Sequence, residues 1–236
     1  MRKKIVISTG AGVSAESGMS TYRDAGGLWD NYPVMEVASD EGFARNPALI
    51  HEFYSNLRTK LAEQIQPNAA HRGIAELEQW FDVDVITQNV DDLHERGGSS
   101  HVLHLHGELM KVRSMRHPER VYQLPCDQLT DKGLVTTVDT RDPYGDAVRP
   151  HIVFFGESVP NMEPAVTLAS RADVFVVIGT SLVVYPAASL LHYAPAGIPV
   201  YYIDPNPVSV PSWVTVIPEK ATVGVAKLTE ILKRDL

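Results

Sequence analysis

At 236 residues, 44% of them hydrophobic and 21% charged, the chain has room for one large domain, or a large domain with a small insert. The formal net charge of -8 argues against a nucleic-acid backbone as the main partner, while leaving room for a local basic site facing phosphate. A single cysteine, Cys126, excludes an intramolecular disulfide and a cysteine-built zinc site and fits a reducing cytoplasm; no run is long enough to cross a membrane.

The first apolar run, Ile5-Val6-Ile7, reads as a buried strand. It reaches Gly10 too soon to be a signal peptide behind the basic Met1-Arg2-Lys3-Lys4. Gly10, Gly12 and Ala15 then fit the G-x-G-x-x-G/A turn that joins a first strand to a helix in dinucleotide-binding folds. Glycines let the backbone approach a pyrophosphate, and a helix N-terminus offers it free N–H groups. A tight strand–helix turn without a ligand fits the same three residues. Beyond it comes loop chemistry with an embedded cation, Ser20-Thr21-Tyr22-Arg23-Asp24-Ala25-Gly26-Gly27. Placed just past a phosphate-binding turn, Arg23 and the glycines read as a lid over a nucleotide, or else as a solvated loop.

Val34, Val37 and Ala38 lie on a short helix, and Leu49, Ile50, Phe53, Leu57 and Leu61 predict an amphipathic helix over 47–65. Tyr54 and Arg58 are four apart on it and so are neighbours on one face. A helix over His71 to Trp80 precedes a second buried strand, Val83 to Ile86. That strand delivers Thr87-Gln88-Asn89-Val90-Asp91-Asp92, a polar cluster where ligands sit in open α/β sheets. Val102 to Glu108 reads as a short alternating strand carrying His104 and His106 on one face, with His101 before it. No ligand set with recognisable metal spacing accompanies these histidines; one standing before a glycine at a strand end suits acid–base work.

Residues 109–147 read as a small module with one or two hairpin strands. The core pattern resumes at Arg149-Pro150-His151-Ile152-Val153-Phe154-Phe155-Gly156-Glu157, followed by a helix over 162–171. Asp173 to Ile178 is the clearest buried parallel-type strand, delivering Gly179-Thr180-Ser181. Pro186 to Tyr193 reads as a helix, Pro199 to Ile203 as a strand ending in Asp204-Pro205-Asn206-Pro207, and 222–234 as a closing helix. The alternation predicts an α/β fold: a doubly wound Rossmann-like parallel sheet with a small inserted helical module and a small zinc-less module.

The stretches GAGVSAESGMSTYRD, PNAAHRGIAELE, TQNVDDLHERGG, HLHGEL, RPHIVFFGE, GTSLVVYPAA and DPNP, in this order, resemble the sirtuins, NAD-dependent protein lysine deacylases, over nearly the whole chain. The ESGMSTYRDAGGLW stretch with VASDEGF and EFY looks most like the branch that removes succinyl and malonyl groups. The resemblance implies a Rossmann-like NAD domain from 1–25, 68–108 and 147–236, a helical insert at 26–67 forming cofactor lid and acyl pocket, and a small module at 109–146. It implies NAD contacts at Gly10, Ala11, Gly12, Ser14, Tyr22, Arg23, Trp29, Gln88, Asn89, Asp91, Gly179, Thr180, Ser181, Asn206 and Ala221. It makes His106, with Asn89, the catalytic pair, His106 accepting a proton relayed from the ribose hydroxyls. The products would be nicotinamide, free lysine and O-acyl-ADP-ribose, and the partners acylated lysines of proteins. The peptide would add as a strand beside Phe155, Gly156, Glu157, Leu182 and Val183.

Two departures stand out. The C-x-x-C pairs that hold a structural zinc in sirtuins are absent, so no zinc is expected; Val112, Met115, Val121, Tyr122 and Leu124 are the candidates to hold the module by packing. In the acidic-acyl branch a Tyr and an Arg three residues later bind the carboxylate, with a small residue leaving room. Tyr54 and Ala38 match, but Leu57 stands where the Arg belongs and Arg58 comes one later. Arg58 either still reaches the carboxylate or is swung about 100° around the helix. A mono-ADP-ribosyltransferase or NAD glycohydrolase on the same fold, a non-catalytic NAD sensor and a metal hydrolase are the alternatives.

Overall fold

The computed structural model describes residues 2–19, 32–130 and 133–234. Its strands are β1 (Lys4–Thr9), β2 (Asp82–Thr87), β3 (Val102–His104), β4 (Gly107–Ser114), β5 (Val121–Gln123), β6 (Val148–Ile152), β7 (Val174–Ile178), β8 (Val200–Ile203) and β9 (Val214–Ile217). Its helices are α1 (Gly12–Ala15), α2 (Val34–Val37), α3 (Asp40–Arg45), α4 (Pro47–Gln64), α5 (Ala69–Glu76), α6 (Leu93–Gly97), α7 (Met162–Ala169) and α8 (Ala221–Lys233). No described helix is long and apolar enough to cross a membrane.

Six strands form one sheet in the order β3-β2-β1-β7-β8-β9, and every pair in it is parallel. β7 and β8 are buried throughout, as strands covered on both faces must be. α5 and α8 cover one face, packing Ile74, Leu77, Val225 and Leu228 on Ile5, Ile7, Val85 and Val176. α7 and a 3-10 segment, Ala187–Tyr193, cover the other with Ala165, Ala169, Leu190 and Leu191 on Val6, Phe175 and Tyr202. The strand order reverses between β1 and β7, and the crevice above their carboxyl ends is where such sheets bind ligands.

β4, β5 and β6 form a second, antiparallel sheet in the order β5-β4-β6. The Arg149–Glu157 stretch, read from sequence with the main core, thus supplies an edge strand to the small sheet. Pro150 within it lacks the N–H a central strand needs and is tolerated at an edge. Val112, Leu124 and Val148 are the core of this module, with Tyr122, Cys126, Leu129 and Leu134 against it. Met115 and Val121, expected to share that packing, are 50% and 38% exposed. Charge supplies the rest: Asp142 accepts from Arg120, the Tyr122 hydroxyl and the N–H groups of Tyr144 and Asp146.

α4 runs unbroken over 18 residues from its Asn46 cap and joins the small sheet to the rest. Phe53, Tyr54, Leu57 and Leu61 pack on Val37, Phe43, Leu109, Ile152 and Phe154. Two elements were not foreseen: α3, with an internal glycine, and β9, half-exposed along its length. The predicted helices at His71–Trp80 and Pro186–Tyr193 are shorter or tighter, the first ending at Glu76 in a 3-10 turn and the second being 3-10 throughout.

Candidate active site

The turns after β1 and β7 lock together at the switch point. Gly10 N–H donates to Ile178 O at 3.0 Å and Gly12 N–H to Gly179 O at 2.8 Å. A Cβ on Gly12 would lie 2.6 Å from Gly179 Cα, and Gly179 itself has φ +62°. These glycines therefore serve the approach of two backbone turns to each other, which shapes the floor of the crevice.

Ser14, in α1, is buried, and three groups converge on its hydroxyl. It donates to Asp91 Oδ2 at 3.0 Å and accepts from Asn89 Nδ2 at 3.1 Å. The third partner is His71 Nε2 at 3.3 Å. His71 Nδ1 accepts the Asn68 N–H in the capping box of α5, so Nε2 carries the ring proton and donates to Ser14. Burial, then Arg72, push the His71 imidazolium down to about 4, so the ring is neutral. Burial likewise raises Asp91 to about 6, against the hydrogen bonds from Leu93 N–H and Ser14. Below this layer Thr9 Oγ1 bonds Thr87 Oγ1 at 2.9 Å and His94 Nε2 at 3.0 Å. Sequence reasoning missed His71 and His94; both stand in the quoted motif stretches, but nothing in their spacing says what they support.

The loop after β2 is pinned on both sides. Gln88 N–H donates to Thr9 O at 2.9 Å and Asn89 N–H to Thr87 Oγ1 at 3.0 Å. Gln88 Nε2 reaches Thr180 Oγ1 at 3.3 Å, and Asn89 Nδ2 reaches Gly10 O at 3.2 Å. His106 Nδ1 lies 3.0 Å from Gln88 O. A carbonyl only accepts, so Nδ1 holds the proton and Nε2 presents its lone pair. Burial keeps the His106 imidazolium below its ordinary range, against the pull of Gln88 O. A neutral imidazole with a fixed tautomer is a proton acceptor at neutral pH. The following Gly107 has φ +86°, and a Cβ there would sit 2.0 Å from His151 O; His106 O accepts from Val153 N–H at 2.9 Å.

The other expected NAD residues lie around this crevice in part. Ala11 precedes α1, and Thr180 and Ser181 follow Gly179 at the end of β7. Asn206 is exposed beyond β8, its N–H on Asp204 Oδ1 at 2.8 Å. Ala221 is buried at the start of α8. Tyr22, Arg23 and Trp29 lie outside the described residues. Donors and acceptors at the ends of β1, β2 and β7 suit a ligand with an amide and ribose hydroxyls, so the residues present fit a nicotinamide dinucleotide.

Along the expected peptide ledge, Phe155 already pairs its N–H with Ala38 O at 2.8 Å and its O with Asp40 N–H at 3.0 Å. Its ring is 44% exposed and Val183 is 62% exposed. Gly156 and Leu182 turn with φ +97° and +55°. Glu157 faces inward to Arg149 at 2.6 Å and the Phe154 N–H at 2.8 Å. Burial opposes its charge, but those bonds hold its carboxyl below the usual range.

On α4, Tyr54 and Leu57 are buried under Phe154 and Phe43. Arg58 is wholly buried; it donates to Leu134 O and, at 3.2 Å, to Thr136 Oγ1. His51 Nδ1 meets the same hydroxyl at 2.9 Å, and Ser55 exchanges bonds with the Thr136 backbone. Residues 51, 55 and 58 thus form one polar stripe clasping residues 134–136. Arg58 Nε has no partner among the described residues, and no carboxylate there acts on the Arg58 charge. Burial pulls its pKa down to about 10, with Tyr54 acting against that. The 51/55/58 spacing was readable from sequence; its docking partner, 76 to 85 residues on in the chain's small module, was not.

Among the described residues no group of three or more His, Cys, Asp or Glu is placed to hold a metal. His101 faces Asp84 at 3.9 Å, His117 pairs with Glu119 at 3.3 Å, and Cys126 packs on the small core.

Residues 10–186 match the Sir2 family. A protein of Bacteroides thetaiotaomicron named NAD-dependent protein deacylase is 51% identical over 232 residues, covering 98% of each chain. A Sir2 homologue solved with ADP-ribose superposes with a TM-score of 0.85 at 35% identity, covering 99% of this chain and 93% of that one. A Sir2 mutant solved with a p53 peptide and NAD gives 0.79 at 28% identity, covering 98% and 94%. With three quarters of its length inside the family match and a relative 51% identical over 98% of the chain, the chain belongs to the Sir2 family.

Proposed function

We propose that the chain binds NAD above the carboxyl ends of β1, β2 and β7 and uses it to remove acyl groups from protein lysines, with succinyl or malonyl preferred to acetyl. The observation that carries the deacylase reading is His106, its Nδ1–H spent on Gln88 O and its Nε2 without a partner among the described residues. When bound, NAD would supply an electrophilic ribose carbon with nicotinamide as its leaving group. Gly10, Ala11, Gly12 and Ser14 hold its phosphates, with Gly179, Thr180 and Ser181 opposite. Gln88, Asn89 and Asp91 line the nicotinamide and ribose pocket, and Asn206 and Ala221 face the adenosine end. Tyr22, Arg23 and Trp29, outside the described residues, are assigned to cofactor binding. His106 Nε2 takes the proton from the ribose hydroxyls, which frees one of them to accept the acyl group.

We assign cofactor binding to residues 1–25, 68–108 and 147–236, lid and acyl pocket to 26–67, and a supporting role to 109–146. The peptide lies along Gly156, Glu157, Leu182 and Val183, with the Phe155 ring beside it. The acidic-acyl preference rests on Arg58, a buried cation without a carboxylate among the described residues, beside Tyr54 on α4, with Ala38 and Leu57 assigned to the same acyl pocket. A substrate carboxylate would compensate that charge.

Succinyl-lysine and acetyl-lysine peptides of one sequence, incubated with wild-type protein and with His106→Ala, test the reading. The wild type is expected to remove both groups only with NAD, succinyl faster, and His106→Ala to lose at least about a hundredfold in kcat. Full activity of His106→Ala overturns it.

A further inference from the structure

His104 and His106 lie two apart in sequence and use the same ring atom in the same way. His106 Nδ1 meets Gln88 O at 3.0 Å, and His104 Nδ1 meets Asn89 O at 2.9 Å. The two imidazoles thus hold two successive carbonyls of one loop. They differ at the other nitrogen. Among the described residues His106 Nε2 meets no acceptor, whereas His104 Nε2 lies 2.8 Å from Glu95 Oε1. An imidazole whose two nitrogens both face acceptors carries both protons, so β3 ends on a cationic histidine while the turn into β4 carries a neutral one.

We propose that His104, fixed as an imidazolium between the Glu95 carboxylate of α6 and the Asn89 carbonyl, is a positioning residue that sets the Asn89 amide and the loop beneath His106. This rests on the reading of His106 and Asn89 as the catalytic pair. The geometry is over-determined on every side. His104 is 6% exposed, its own carbonyl accepts from Asn161 Nδ2 at 2.7 Å, and the Asn89 amide it backs is tied to Gly10 O and Ser14 Oγ. The charged and titratable groups around it are Glu95 from α6, Glu108 and Lys111 from β4, and Asp91 and His94 behind the loop. Burial opposes the imidazolium, but the Glu95 hydrogen bond and charge outweigh it and raise the His104 pKa. With its pKa raised, the pin is complete below about 6.5 and is lost as pH rises through the folded value. The alkaline limb of the pH profile therefore reports His104, and the acid limb reports His106.

Three variants separate the parts. His104→Asn keeps a donor at the Nδ1 position; His104→Gln keeps one only toward Glu95; Glu95→Gln keeps the shape and removes the anion. We measure kcat and KM against pH, with His106→Ala alongside. His104→Gln is expected to lose about 10- to 100-fold in kcat, with peptide KM within about twofold, as displacement of a catalytic group does. His104→Asn recovers most of that loss. Glu95→Gln moves the alkaline limb to lower pH by at least half a unit or so, because the anion that holds the second proton is gone. Glu95 is half-exposed, so this variant folds even if a His104 variant does not. The proposal is overturned if Glu95→Gln leaves the alkaline limb unmoved, or if His104→Gln keeps wild-type kcat. An inactive His106→Ala beside unaffected His104 and Glu95 variants defeats the proposal alone; an active His106→Ala defeats the underlying assignment.

Discussion

Replacing Arg58 by methionine separates its two duties. The guanidinium is fully buried and its pKa is pulled down to about 10, a net desolvation cost on the order of 3 kcal/mol. Its bonds to Leu134 O and Thr136 Oγ1 return about 1.5–3 kcal/mol each. Methionine removes the cost and both bonds and fills most of the volume. Thr136 Oγ1 keeps His51, so the chief orphan is Leu134 O. The balance is a destabilisation of about 1–2 kcal/mol, or roughly 2–8 °C in Tm for a chain of this size. Desuccinylation answers to a different quantity. Without Arg58 a substrate carboxylate enters an apolar site beside Tyr54, which costs about 3–4 kcal/mol, or about 10²- to 10³-fold in kcat/KM. Deacetylation, needing no cation, stays within about threefold. The assay is kcat/KM for matched succinyl and acetyl peptides, with Tm by calorimetry. Equal loss on both substrates, with Tm down by more than about 10 °C, would show Arg58 to be a clasp for residues 134–136 and nothing more.

Three more expectations follow from the same geometry. Gly12→Ala drives a Cβ to 2.6 Å from Gly179 Cα; the turns must part by about an ångström, and kcat/KM for NAD falls about a hundredfold. A wild-type rise of Tm with NAD in this variant would contradict the floor described for the crevice. His51 and His71, held near 4, and His94, held well below its usual range, are all kept neutral chiefly by burial. Their folded pKa lies below the unfolded value, so this stability is complete above about 6.5 and is lost as pH falls toward 4. Between pH 7 and 5 that is on the order of 2 kcal/mol per histidine, partly offset by Asp91, raised to about 6. Urea midpoints unchanged over that range would refute it. Asp142→Ala, which strips the acceptor from Arg120 and Tyr122, is expected to lower Tm, while a chelator leaves wild-type activity unchanged.

Much of this was legible in the sequence where chemistry is local. β1, β2, β7 and β8 were readable as apolar runs ending in glycine or polar turns, because a doubly covered strand has no polar side to hide. β9 was not, since Val214 and Ile217 alone are buried in it and half a pattern resembles a loop. The glycines of the β1 turn were readable as necessary, but their crowding against Gly179 depends on a strand 170 residues away. The H-x-H spacing read His104 and His106 onto one face of a single strand over 102–108, whereas β3 ends at His104 and His106 lies in the turn before β4. Which ring nitrogen meets which acceptor depends on Gln88, Asn89 and Glu95, and that alone makes one a base and the other a cation. Arg58 shows the same limit. Helical spacing placed it beside Tyr54, while its hydrogen bonds go to a segment whose docking no periodicity records.

The most direct test of the account is the product balance of a single reaction. NAD and a succinyl-lysine peptide are incubated with the protein, and nicotinamide, free lysine peptide and O-succinyl-ADP-ribose are quantified by mass. The account predicts one of each per turnover, and no turnover without NAD. Nicotinamide released with the peptide still acylated, and ADP-ribose found free or on protein, would contradict it and favour a transferase or glycohydrolase on the same fold.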